Sequence, residues 1–148
     1  MIPIIKGNEP AVFSRVKTEL RSTPDAAFSY SSLHGDQRRE LLEPLLREQG
    51  YLCAYCMCRI GTNDNPGTIE HLAPQHPVSG QSDDDLSLSY SNMVAVCNGR
   101  GGLTCDKHRG NAPMTVDPTR SHTLESIKYL RGGEIDAGNP AVRRDLQE

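Results

Sequence analysis

Apolar residues recur at three- and four-residue intervals in two stretches near the start of the chain. Val12, Phe13, Val16 and Leu20 form the first, which predicts an amphipathic helix with Asn8 as its cap and Pro10 early in it. Leu41, Leu42, Leu45 and Leu46 form the second, over about Asp36 to Gln49, with Asp36 placed as cap and Gly50 as stop. Pro44 inside it lacks a backbone donor and should kink this helix or start it late. Between the two, residues 21–35 are serine-rich and read as a loop or a short broken helix.

From Tyr51 the pattern changes. Tyr51 to Ile60 reads as a strand-and-knuckle segment and Gly61 to Gly67 as a turn. Thr68 to Leu72 is short enough and apolar enough for a strand. Ala73 to Asp85 is a loop, and Leu86, Leu88 and Tyr90, alternating with serines, predict a further strand or extended segment. Ser91 to Cys97 leads into the glycine-rich turn 98–102, and a short helix is expected from Cys105 to about Asn111, ended by Pro113. Leu124, Ile127, Tyr129 and Leu130, then Gly132-Gly133, then Glu134-Ile135-Asp136 predict a hairpin, and Pro140 to Glu148 the start of a helix. The expected organisation is a helical arm over 1–50, a core over 51–118 and a C-terminal hairpin with helix over 119–148.

Composition narrows this picture. With 36% apolar residues, two Phe and no Trp in 148 residues, the core is thin, and a chain of this kind often needs a staple such as a metal. Nothing in Met1 to Lys6 resembles an export signal, and no stretch reaches the ~18–20 apolar residues of a membrane span. A cytoplasmic location is therefore expected, where paired cysteines more often bind metal than form disulfides. The net charge of −3 argues against bulk electrostatic attraction to nucleic acid. Locally the balance reverses, since Arg100, Lys107 and Arg109 stand against Asp106 alone between Asn98 and Asn111.

The five cysteines carry the first candidate chemistry. Cys53 and Cys56 have knuckle spacing, and Cys97 and Cys105 make a looser second pair; together they suit a tetrahedral thiolate zinc site of structural type. Cys58 sits too close to Cys56 to join and is left unligated. A redox CxxC and buried thiols without a role are the alternatives. Interleaved with these pairs are Glu70, His71, Asn92 and His108. Phosphodiester hydrolysis needs a base that titrates near neutrality, a cation and something to hold both. At a strand end, His71 could be that base beside Glu70, with His108 a metal ligand and Asn92 orienting His71.

Ile69-Glu70-His71-Leu72-Ala73-Pro74-Gln75, Ser91-Asn92-Met93 and Cys105-Asp106-Lys107-His108-Arg109-Gly110-Asn111 resemble the three motifs of the HNH endonucleases. The resemblance implies an α+β fold: a ββα-metal HNH core stapled by a four-cysteine zinc site, with N-terminal helices and a C-terminal hairpin. It implies His71 as general base, Glu70 and His108 as ligands of a catalytic Mg2+ or Mn2+, and Asn92 as the residue that holds the loop. Glu70 departs from the family's usual Asp. Arg109 and Lys107 would contact flanking phosphates. Leu46 to Cys56, followed by Ile69-Glu70-His71, is similar to the PtuB-type HNH subunits of bacterial Septu anti-phage systems, some of them retron-linked. That likeness implies cutting of nucleic acid, DNA above all, together with an ATPase partner. The rival expectation is a zinc-stapled subunit without catalysis that binds nucleic acid or docks on the ATPase.

Overall fold

The computed structural model describes residues 1–75, 84–99, 105 and 109–147. The fold is mixed α+β, with two small antiparallel sheets. Helix α1 spans Ala11–Ser22 and buries Phe13, Val16 and Leu20, the face its spacing predicts. Its N-cap is Pro10, not Asn8. The Phe13 N–H donates to the Pro10 carbonyl at 2.9 Å, and Glu9 receives the Ser14 hydroxyl and the Lys17 ammonium from the first turns. A three-residue 3-10 turn at Tyr30–Ser32 follows in the serine-rich stretch.

Helix α2 spans Gly35–Glu48, runs on past Pro44, and buries Leu41, Leu45 and Leu46. It does not start late. Its N-cap is His34, whose backbone N–H donates to the Gln37 side chain at 3.0 Å. That half of a capping box displaces Asp36 from the expected cap into the first turn, where it favours the helix dipole and pairs with Arg39. Gly50 and Tyr51 then take positive φ values of 61° and 60°, which turns the chain sharply into the cysteine knuckle.

Strands β1 (Gly67–His71) and β2 (Met93–Cys97) pair antiparallel, with Gly67 opposite Cys97 and His71 opposite Met93. Every β2 residue is buried, because α2 packs on this ribbon. The edge of β2 turned away from β1 is closed by a side chain. Gln49 donates through Nε2 to the Ala95 carbonyl at 2.8 Å and to that of Leu52 at 2.9 Å, and its Oε1 accepts the Ala95 N–H at 2.7 Å. The Ala54 N–H also donates to the Ala95 carbonyl, at 3.0 Å, so a glutamine and one backbone N–H take the place of a third strand.

The expected strand around Leu86 to Tyr90 is not formed. The chain makes a helical turn α3 (Asp84–Ser87) and a 3-10 turn at Tyr90–Asn92. Local bonds outcompete a ladder here: Ser89 N–H reaches the Leu86 carbonyl, Asn92 N–H reaches Ser89, and the Ser89 and Ser91 hydroxyls meet at 2.9 Å. Leu88 and Tyr90 are both buried by these turns. The helix expected from Cys105 to Asn111 lies largely outside the described residues.

One apolar cluster joins the N-terminal helices to the β1–β2 ribbon, from Ile4 and Phe13 through Leu45 and Ile60 to Val96. The C-terminal part has its own small cluster of Val116, Leu124, Ala137 and Val142. It contains α4 (Ser121–Leu124), the expected hairpin of β3 (Ile127–Tyr129) with β4 (Ile135–Ala137), and α5 (Pro140–Gln147). Among the described residues no helix is long and apolar enough to cross a membrane.

Replacing Gln49 by Ala should cost about 2 kcal/mol or more, since it leaves the buried Ala95 N–H without that acceptor. Urea unfolding of the zinc-loaded protein reads this; a change under about 0.5 kcal/mol would mean that the side chain does not close the edge.

Candidate metal centre and adjoining cleft

Cys53 sits in a tight turn whose geometry the backbone fixes. Its N–H donates to the Cys58 carbonyl at 2.9 Å, Met57 N–H returns to the Cys53 carbonyl at 3.1 Å, and Leu52 pairs with Arg59 in an isolated bridge. This is the expected knuckle. The end of β2 brings in Cys97, whose N–H points at Cys53 Sγ. The sulfurs of Cys53, Cys56, Cys97 and Cys105 all lie within 4.8 Å of one another, with Cys53 to Cys105 at 3.8 Å and Cys56 to Cys97 at 3.7 Å. Tetrahedral zinc with Zn–S bonds of about 2.3 Å requires S···S separations of about 3.8 Å, which these two separations match.

Thiols this close cannot all ionise on their own. The hydrogen bond that joins it to Cys105, against the effect of burial, holds Cys53 down at about 4. Burial pushes Cys56 up to about 12 and also raises Cys97, while Cys105 is raised first by its bond to Cys53 and then by burial. A divalent cation would replace the remaining protons and balance the thiolate charge. Cys58 stays outside the group, with its sulfur 3.5 Å from the Asn65 amide.

The ribbon delivers the second candidate set beside this centre. Ile69, Glu70 and His71 are all buried at the end of β1. Register places Asn92 just beyond the last ladder pair, and its carbonyl accepts the Leu72 N–H at 2.9 Å. The Asn92 side chain accepts the Ala73 N–H at 2.8 Å and donates to the Ala73 and Leu86 carbonyls at 3.2 and 3.1 Å. Asn92 therefore holds the loop after β1 to the turn before β2.

His71 itself is oriented by other groups. Its Nε2 lies 2.8 Å from the Ser87 carbonyl, and its Nδ1 lies 3.0 Å from the Gln75 amide nitrogen. Tyr30 packs against the ring edge-on, at 4.7 Å between centroids. A carbonyl can only accept, so Nε2 carries the hydrogen and Nδ1 presents its lone pair. Burial lowers the His71 pKa from the usual imidazole value; Ser87 opposes this and the Arg109 charge adds to it, so the ring is neutral at pH 7.

Arg109, expected at flanking phosphates, is placed inside the site. Its side chain is 5% exposed and ion-paired with Glu70. The same guanidinium donates to the His71 carbonyl at 2.7 Å, the Leu72 carbonyl at 2.6 Å, the Tyr55 hydroxyl at 3.1 Å and, through Nε, the Ala112 carbonyl at 3.1 Å. It ties the knuckle to the end of β1. Lys107 and His108 lie outside the described residues. Glu70, His71, Pro74, Gln75, Gly110 and Asn111 line an open cleft of about 210 Å³.

Sequence reasoning missed Ser87, Gln75 and Tyr55 as participants. Gln75, four residues after His71, and Tyr55, inside the CxxC, were visible there without a role. Ser87 acts through its backbone carbonyl, for which the residue type gives no signal.

No protein-family model, curated protein or solved structure matches this chain.

Cys105→Ser and Cys53→Ser should lose most bound zinc, whereas Cys58→Ser should keep about one ion per chain. Metal analysis of the purified variants measures this. Equal zinc in all three would contradict the assigned ligand set.

Proposed function

We propose that the chain is a metal-dependent endonuclease of the HNH type, hydrolysing phosphodiester bonds of nucleic acid, DNA first. The observation that carries the reading is a buried, neutral histidine at a strand end, its Nε2–H fixed on a backbone carbonyl and its Nδ1 held by Gln75, with both residues lining the same cleft as Glu70. Nδ1 of His71 takes a proton from water as the water oxygen attacks phosphorus. The bond from phosphorus to the 3′ oxygen breaks, and the leaving oxygen gains a proton to end as a hydroxyl.

Glu70, which lines the cleft, and His108 of the third motif would hold a catalytic Mg2+ or Mn2+. A carboxylate and an imidazole suit such an ion, which would supply Lewis-acid stabilisation of the charge that develops on the phosphate. Asn92 keeps the loop that carries Pro74 and Gln75 in place. Arg109 orders the Glu70 carboxylate and the end of β1. The four cysteines and their zinc fix the distance between knuckle and strand.

The narrower reading, a nuclease subunit of an anti-phage system of the Septu type in the bacterial cytoplasm, rests on the Leu46 to Cys56 stretch and on charge. A net charge of −3 gives this chain little attraction for DNA by itself, so an ATPase partner that recruits or presents the substrate completes the reaction scheme. The second reading is a zinc-stapled binding or ATPase-docking subunit without catalysis. One observation favours it: both ring nitrogens of His71 already carry hydrogen bonds.

A plasmid-cutting assay with Mn2+, with and without a co-expressed ATPase, separates the two. Wild type should nick or linearise, and His71→Ala should lose at least about 100-fold in rate while keeping its zinc. Because burial keeps His71 neutral below the usual imidazole pKa, the rate should hold as pH falls from 7 through 6.5 and decline only once Nδ1 is protonated. Cutting by His71→Ala at the wild-type rate would remove the base from the mechanism, and binding without any cutting would favour the second reading.

A further inference from the structure

We propose that Gln75 is a positioning residue that covers the base: its carboxamide holds the Nδ1 lone pair of His71 until a phosphodiester entering the cleft displaces it and a water takes its place. The inference rests on the nuclease reading above and names the event that readies that same site.

The geometry leaves little choice. The Ser87 carbonyl accepts at 2.8 Å, which fixes the hydrogen on Nε2 and makes Nδ1 the acceptor of the neutral ring. The partner of Nδ1, the Gln75 amide nitrogen at 3.0 Å, is then a donor aimed along the single lone pair. A water that is to give its proton to Nδ1 must stand along that same direction, so water and Gln75 exclude one another there.

The side chain that moves is Gln75. His71 is 4% exposed, pinned on one side by Ser87 and braced by the Tyr30 ring, so a flip of the imidazole would break two contacts at once. Gln75 is half-buried, lines the open cleft and follows Pro74, whose ring fixes the backbone φ there and so fixes where the flexible carboxamide emerges. Sequence pattern alone gave Gln75 no role; only its distance to Nδ1 does.

The test compares zinc-loaded, full-length wild type, Gln75→Ala, Gln75→Leu and His71→Ala in the Mn2+ plasmid assay, alongside 15N spectra of the imidazole without substrate. Gln75→Leu keeps the bulk of the side chain and removes its donor, which controls for a collapsed loop. Both Gln75 variants should raise kcat/KM about 2- to 10-fold, as expected when one hydrogen bond no longer has to be broken. The gain should appear as a lower KM with kcat unchanged, because displacement accompanies binding. The Nδ1 resonance of His71 should shift in both variants, with Nε2 still protonated. A purely structural role would leave KM equal or higher. If wild type cuts and His71→Ala does not, but either Gln75 variant has a kcat/KM at or below wild type, or the Nδ1 resonance is unmoved, the covering role is wrong and the nuclease reading stands. If wild type does not cut with or without the ATPase, the nuclease reading fails and this inference fails with it.

Discussion

Four sulfurs held within 4.8 Å of one another are the constraint on which the rest of this structure depends. Left alone, four thiols at that separation cannot all ionise; around a divalent ion they would become a cross-link between segments that the sequence keeps far apart. Cys53 and Cys56 belong to the knuckle, Cys97 to the end of β2, and Cys105 to the segment that brings Arg109. A two-stranded sheet is marginal by itself, and this chain has few large apolar residues to cover it. The sulfur cluster and α2 together supply what the core does not, and Gln49 closes the edge of β2 together with the Ala54 N–H of the knuckle.

Arg109 then transmits that order to the cleft. Its guanidinium is nearly excluded from water, and such a charge persists only where carboxylate and carbonyl partners satisfy it. Glu70, the carbonyls of His71 and Leu72, and Tyr55 from the knuckle are those partners. The site beside the cysteine centre is thus held from two sides, by the cysteine knuckle and by the ribbon register that sets Asn92 opposite Leu72. The Ser87 contact of His71 fixes which ring nitrogen carries the hydrogen.

Much of this is written in local pattern. Helical spacing located α1 and α2 and their buried faces, because Phe13, Val16 and Leu20, or Leu41 and Leu45, lie on one side of any helix drawn through them. Cysteine spacing located the cluster, since few arrangements of two pairs around one ion are possible. The misread positions share a cause. Asn8, Asp36 and the Leu86 to Tyr90 segment depend on which of several local hydrogen bonds wins, and serine, asparagine and aspartate can serve in caps, turns and strands alike. The roles of Ser87, Gln75 and Arg109 depend on contacts across 4 to 54 residues of chain and, for Ser87, on a carbonyl that every residue type carries. No local pattern records those.

If one structural zinc on four thiolates organises this chain, zinc-edge X-ray absorption of the purified protein shows it most directly. The spectrum should contain a shell of about four sulfurs at about 2.3 Å, with no nitrogen or oxygen neighbour needed to fit it. A mixed sulfur and nitrogen shell, or protein that folds and holds its ribbon with no zinc bound, would contradict that organisation.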